Sequence, residues 1–119
     1  YKADKSDDEI FYANKEFLDM AGYENLDALF KGTNKSFRNL IREDQQELVE
    51  TSIWHQIESG SSDDYIHYSL RKADGTYILV LDQGRIVESE HFGRVFYVLF
   101  MDCQAMQEHY GTKFDEKDA

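Results

Sequence analysis

Few residues in this sequence have the types and spacing that chemistry demands. The histidines are His55, His67, His91 and His109. No two of them stand at the HxxxH spacing that puts two imidazoles on one helical face, so no metal site is predicted. Cys103 is the only cysteine, which excludes an internal disulfide and any zinc or iron–sulfur site built from several thiolates. Adjacent carboxylates occur at Asp7-Asp8 and Asp63-Asp64. Both pairs read as solvated loop residues without an acid–base partner. There is no phosphate-cradling glycine loop, no dinucleotide fingerprint and no nucleophile motif. Tyr68 is the most interesting polar candidate, because a buried phenol must find a hydrogen-bond partner. An enzyme would need an inward His–Asp or Asp–Tyr pair, and none stands at a convincing spacing. Arg85 and Arg94 read as structural, pairing with Asp82 or Glu88.

Composition narrows the classes further. Of 119 residues, 13 are Lys or Arg and 24 are Asp or Glu, giving a net charge of 13 − 24 = −11. Such a field repels phosphate, which argues against nucleic acid and anionic lipid as partners. Apolar runs fall far short of the roughly 18 residues of a membrane span, so no membrane insertion is expected. The polar start YKADKSDDE lacks the apolar core of a signal peptide, which points to a cytoplasmic protein. The abrupt start suggests an excised piece of something longer. Eight Tyr and eight Phe, with regular apolar periodicity, argue for one folded domain rather than disorder. Residues 1–103 read as that domain and residues 104–119 as a polar exit linker.

The elements follow from periodicity and caps. Residues 1–4 and 10–13 are two short apolar pieces around a polar loop, as in a hairpin. Asn14 caps a predicted two-turn helix over Lys15–Ala21, closed by Gly22. Asn25 caps another over residues 26–31, closed by Gly32. Residues 33–42 read as loop with at most one helical turn. The strongest helical signal spans residues 43–59, where Val49, Ile53 and Ile57 recur every four residues with Trp54 on the flank. From Tyr65 the period becomes two. Ile66, Tyr68 and Leu70 share one face; Tyr65, His67 and Ser69 share the other. The Asp74-Gly75 turn leads to a strand over residues 76–88, and a second turn leads to a third over residues 92–102.

The last two strands break the expected alternation. Residues 95–101 read VFYVLFM and residues 78–81 read ILVL, so both faces of this sheet must be covered. Helices can cover one. The other is predicted to meet a partner subunit or a helix from outside this chain. Leu79, Leu81, Phe96 and Val98 are the candidates for that interface.

Element order and several strings together resemble the PAS domain, a sensory module of signalling proteins. The strings are Ile10-Phe11-Tyr12-Ala13-Asn14 leading into Lys15-Glu16-Phe17 and closing at Gly22-Tyr23, then Arg42-Glu43-Asp44 opening the long helix. Arg71-Lys72-Ala73-Asp74-Gly75-Thr76 and the final strand ending in Met101-Asp102 complete the set. The likeness covers residues 2 to 102 and is closest to the bacterial domains placed before diguanylate cyclase or histidine kinase outputs. It implies an α+β fold, with a five-stranded antiparallel sheet and short helices on one face. The first strand would be clipped, with only residues 1–4 remaining. After the final strand the family's Asp-x-Thr/Ser is here Asp102-Cys103-Gln104, so the capping hydroxyl is absent.

What the resemblance implies for function is a sensor and homodimerisation module that responds to a small molecule or to a redox or partner state and passes it to an output domain in the same parent chain. A purely structural interaction domain and a small cone-shaped α+β enzyme are the alternatives. Flavin photochemistry needs a cysteine in a loop where this chain has Gly32-Thr33-Asn34-Lys35-Ser36-Phe37, and Lys35 cannot form the thioether. Haem would need a histidine facing the pocket; His55 is about 200° around the helix from Ile53 and Ile57 and points away. The cofactor is therefore unknown. The implied pocket would be lined by Phe17, Met20, Leu29, Phe37, Ile53, Ile57 and Tyr68. Asn34, Arg38 and Asn39 are the polar candidates at its mouth.

Overall fold

A computed structural model describes residues 1–103. The first helix, α1 (Lys15–Ala21), begins where the Asn14 side chain accepts the Phe17 N–H at 2.9 Å. It ends at Gly22, whose φ of +82° only glycine adopts cheaply. The second helix, α2 (Leu26–Thr33), is capped in the same way by Asn25, which accepts the Ala28 N–H at 2.8 Å.

Helix α2 runs through Gly32 rather than stopping there. The left-handed residue that closes it is Asn34, with φ +55°. Gly32 serves packing instead: a Cβ there would lie 2.7 Å from the Tyr23 ring. The next segment makes a single turn of 3-10 helix at Phe37–Leu40. A second 3-10 turn, Glu43–Gln45, leads into the long helix α3 (Gln46–Glu58), so the regular α-helical part starts later than the sequence predicts. Helix α3 buries Val49 and Ile53.

Three antiparallel strands follow in a meander: β1 (Asp63–Arg71), β2 (Tyr77–Ser89) and β3 (Gly93–Asp102), in spatial order β1-β2-β3. Strand β1 begins at Asp63, two residues earlier than its apolar alternation indicates. Arg85 stabilises that start by pairing with Asp63 at 2.7 Å, not with Asp82 or Glu88. Register sets two faces. The inner face carries the rows Leu70–Ile78, Tyr68–Val80–Asp102, Ile66–Asp82–Phe100, Asp64–Gly84–Val98 and Ile86–Phe96. The outer face carries His67–Leu81–Met101, Tyr65–Gln83–Leu99 and Ser69–Leu79. Leu29, Leu40, Ile41, Val49, Ile53, Leu70, Val80 and Phe96 form the core with the inner face.

The five-stranded sheet is not seen; the described residues hold three strands. Of the two N-terminal pieces, the first keeps a single bridge to the sheet and residues 10–13 keep none. Lys2 bridges Val95 beside β3, and the Lys2 N–H donates to the Glu9 carbonyl at 2.9 Å. The Ile10 N–H is spent on the Lys35 carbonyl at 2.8 Å, after α2. That bond draws the second piece away from the sheet, so no ladder propagates. The first piece still lies along β3, on the side away from β2.

Candidate functional site

An apolar groove of about 860 Å³ opens beside β3. Phe17 and Met20 of α1, Leu29 of α2 and Phe37 and Leu40 of the 3-10 turn form one wall; Phe96, Val98 and Phe100 of β3 form the other. Rings dominate it, with Phe17 and Phe100 centroids 4.9 Å apart. Such a space is large enough and apolar enough for a small molecule. A smaller cavity of about 280 Å³ lies between the N-terminal segment and α3, lined in part by Arg38, Glu50, Ile53 and Trp54. Tyr1 borders both cavities. Its ring is stacked between Phe37, at 3.9 Å, and Phe96, at 4.9 Å.

Beneath these rings is a polar cluster on the inner sheet face. The Tyr68 hydroxyl donates to Asp82 Oδ2 at 2.7 Å, and both residues are buried. Asp64 is 1% exposed, and neither of its carboxylate oxygens has a hydrogen-bond partner. It can lie there because Gly84 beside it has no side chain; a Cβ would come within 2.7 Å of Asp64 Oδ2. Burial raises the Asp64 carboxyl to about 6, helped by the charge of Asp63. Burial also raises Asp82 to about 7; the Tyr68 hydrogen bond opposes this and the Asp64 charge adds to it. The Tyr68 phenol is held far above its ordinary range by burial and then by Asp82.

A family model described as the PAS fold matches residues 10–101. The chain belongs to the PAS family. A comparison with curated proteins gives no match. The matched span takes in α1 to α3 and nearly all of the meander, and PAS domains are in general sensory and interaction modules.

Within this PAS domain the expected pocket residues divide. Phe17, Met20, Leu29 and Phe37 come together in the groove. Ile53 lines the smaller cavity. Ile57 is half-buried against the core and lines neither. Tyr68 is sealed against Asp82, below both. The three polar candidates are held by structural contacts. Asn34 is the left-handed cap of α2. Arg38 pairs with Glu50 at 3.2 Å, and Asn39 Nδ2 donates to the Thr33 carbonyl at 2.8 Å. His55 is exposed on α3.

The proposed interface set also divides. Leu79 and Leu81 lie on the outer face, whereas Phe96 and Val98 lie on the inner face, against the core. Tyr97 and Leu99, on the outer face of β3, are 67% and 62% exposed. Two residues that matter were missed. Asp64 is in a strand rather than a solvated loop, and Asp82 forms with Tyr68 the inward Asp–Tyr pair that the spacing did not suggest. The available signal was parity: Ile78, Val80, Asp82, Gly84 and Ile86 alternate on one face, and Asp82 is the acid among them.

Proposed function

We propose that this PAS domain is the sensory and dimerisation module of a bacterial, cytoplasmic, multidomain signalling protein, binding a small apolar molecule in the groove beside β3. The groove carries this reading, because it combines volume, aromatic walls and contact with the last strand. Phe100 and Asp102 border it at the end of β3, where the chain leaves the domain. A ligand that separates the Phe17 and Phe100 rings would shift that strand end, and a bias of about 1–3 kcal/mol between two packings suffices to couple it to an output. A diguanylate cyclase or a histidine kinase is the output domain we infer. The outer sheet face, with Leu79, Leu81, Tyr97 and Leu99, is the dimer or linker surface.

The domain itself is read as non-catalytic. Its Asp–Tyr pair is buried and lines neither cavity, so it offers no substrate an approach. Nile red, a neutral apolar fluorophore, tests the groove. Saturable binding of one dye per chain is expected, and Leu29→Trp should abolish it by filling the floor. Absence of saturable binding to the wild-type domain would count against the reading.

A further inference from the structure

Two carboxylates face the interior from neighbouring strands, on adjacent register rows: Asp64 beside Gly84, and Asp82 between Ile66 and Phe100. Each is 1% exposed. Asp82 has one donor, the Tyr68 hydroxyl, and Asp64 has none. A buried carboxylate without a donor is costly as an anion and tolerable as a neutral acid. Neither residue lines a cavity that would admit an organic cation. A proton needs no such volume. We propose that Asp64 and Asp82 form a proton-binding site, and that proton uptake there holds the segment of residues 1–9 against β3.

The segment is the element placed to respond. Tyr1 is stacked on Phe37 and on Phe96 of β3, and its phenol lies in the field of Asp82, Asp64, Asp8 and Glu50. It is tied to β3 by short main-chain bonds: the Tyr1 nitrogen to the Phe96 carbonyl at 2.9 Å, Phe96 N–H to the Tyr1 carbonyl at 2.7 Å, and Ala3 N–H to the Arg94 carbonyl at 3.0 Å. Asp63 and the Tyr68 hydroxyl of β1 act on the pair itself, Asp102 of β3 shares the inner face one row from Asp82, and Asp8 of the segment and Glu50 of α3 act on the Tyr1 phenol. These side chains are all acidic or phenolic; the cation of the segment is the Tyr1 amino group, which burial pulls below its ordinary range against the charge of Asp8. The nearby cations are engaged elsewhere, Arg85 with Asp63 and Arg38 with Glu50.

The sign follows from linkage. The carboxyls titrate at about 6 and about 7 in the closed state, against 3.8 for an ordinary aspartate. An open or unfolded state therefore gives up its protons first as pH rises. The stability this pair supplies is full below about pH 4 and is lost as pH rises to about 7. The pair itself lines neither cavity, and its proton uptake does not require a ligand in the groove.

Amide hydrogen exchange on the wild-type domain, with and without Nile red, tests it. Protection factors at Ala3 and Phe96, corrected for intrinsic rates, should fall about tenfold or more between pH 5 and pH 8. Tyr23, whose N–H bonds to the Leu18 carbonyl, should keep its protection. In Asp82→Asn, which preserves an acceptor for Tyr68, the fall should shrink. Protection that is flat with pH, or that falls equally at Tyr23, would overturn the proposal. Carbon-13 titration of the wild-type carboxyl groups avoids any question of a variant's folding. Two aspartates titrating above pH 5 would support the site, and all carboxyls titrating near 4 would overturn it. Loss of dye binding with these carboxyl titrations intact would refute the groove alone.

Discussion

At the scale of single residues, two glycines do what no side chain could. Gly84 leaves the space over which the Asp64 carboxylate lies, and Gly32 lets the Tyr23 ring close on α2. Gly32→Ala is the sharper test, because two effects oppose each other. Alanine favours a helix over glycine by about 1 kcal/mol, while overpacking against a buried ring costs about 1–3 kcal/mol. Net destabilisation is expected in urea unfolding, and it should shrink when Tyr23→Leu removes the ring. From sequence, Gly32 looked like a helix stop because a glycine that ends a helix and one that admits a neighbour are the same letter. Asp82 was hidden differently: a single acid in an apolar strand is usually taken for a solvent-facing residue, and only its parity with Val80 and Ile86 places it inside.

At the scale of elements, local chemistry was most legible where a cap decides the boundary. The Asn14 and Asn25 side chains each take an otherwise unpaired helical N–H. Replacing Asn25 by Ala should cost about 1 kcal/mol, read as a lower urea midpoint with an unchanged slope. The meander was equally readable, through alternation and the Asp74-Gly75 turn, where Gly75 has φ +85°. The N-terminal hairpin was not. Its pieces have strand composition, but whether a ladder forms depends on distant partners such as Lys35 and Val95. The early start of β1 was hidden for the same reason, since it rests on the long-range Asp63–Arg85 pair.

At the scale of the whole molecule, the net charge of −11 and the apolar outer sheet face are complementary features. Charge keeps non-specific contacts away, and in the function proposed above the face with Leu81 and Leu99 meets the partner. Leu81→Asp or Leu99→Asp should therefore lower the sedimenting dimer fraction while the domain stays folded. Val98→Asp, on the inner face, should instead unfold it. Unchanged sedimentation of both outer-face variants would remove this face as the interface. In the function proposed above, the groove beside β3 holds a small molecule. Native mass spectrometry of the freshly purified domain tests it most directly. We expect a bound species at one per chain in the wild type, absent from Leu29→Trp; a wild-type chain at its bare mass, alone and after incubation with Nile red, would contradict the account.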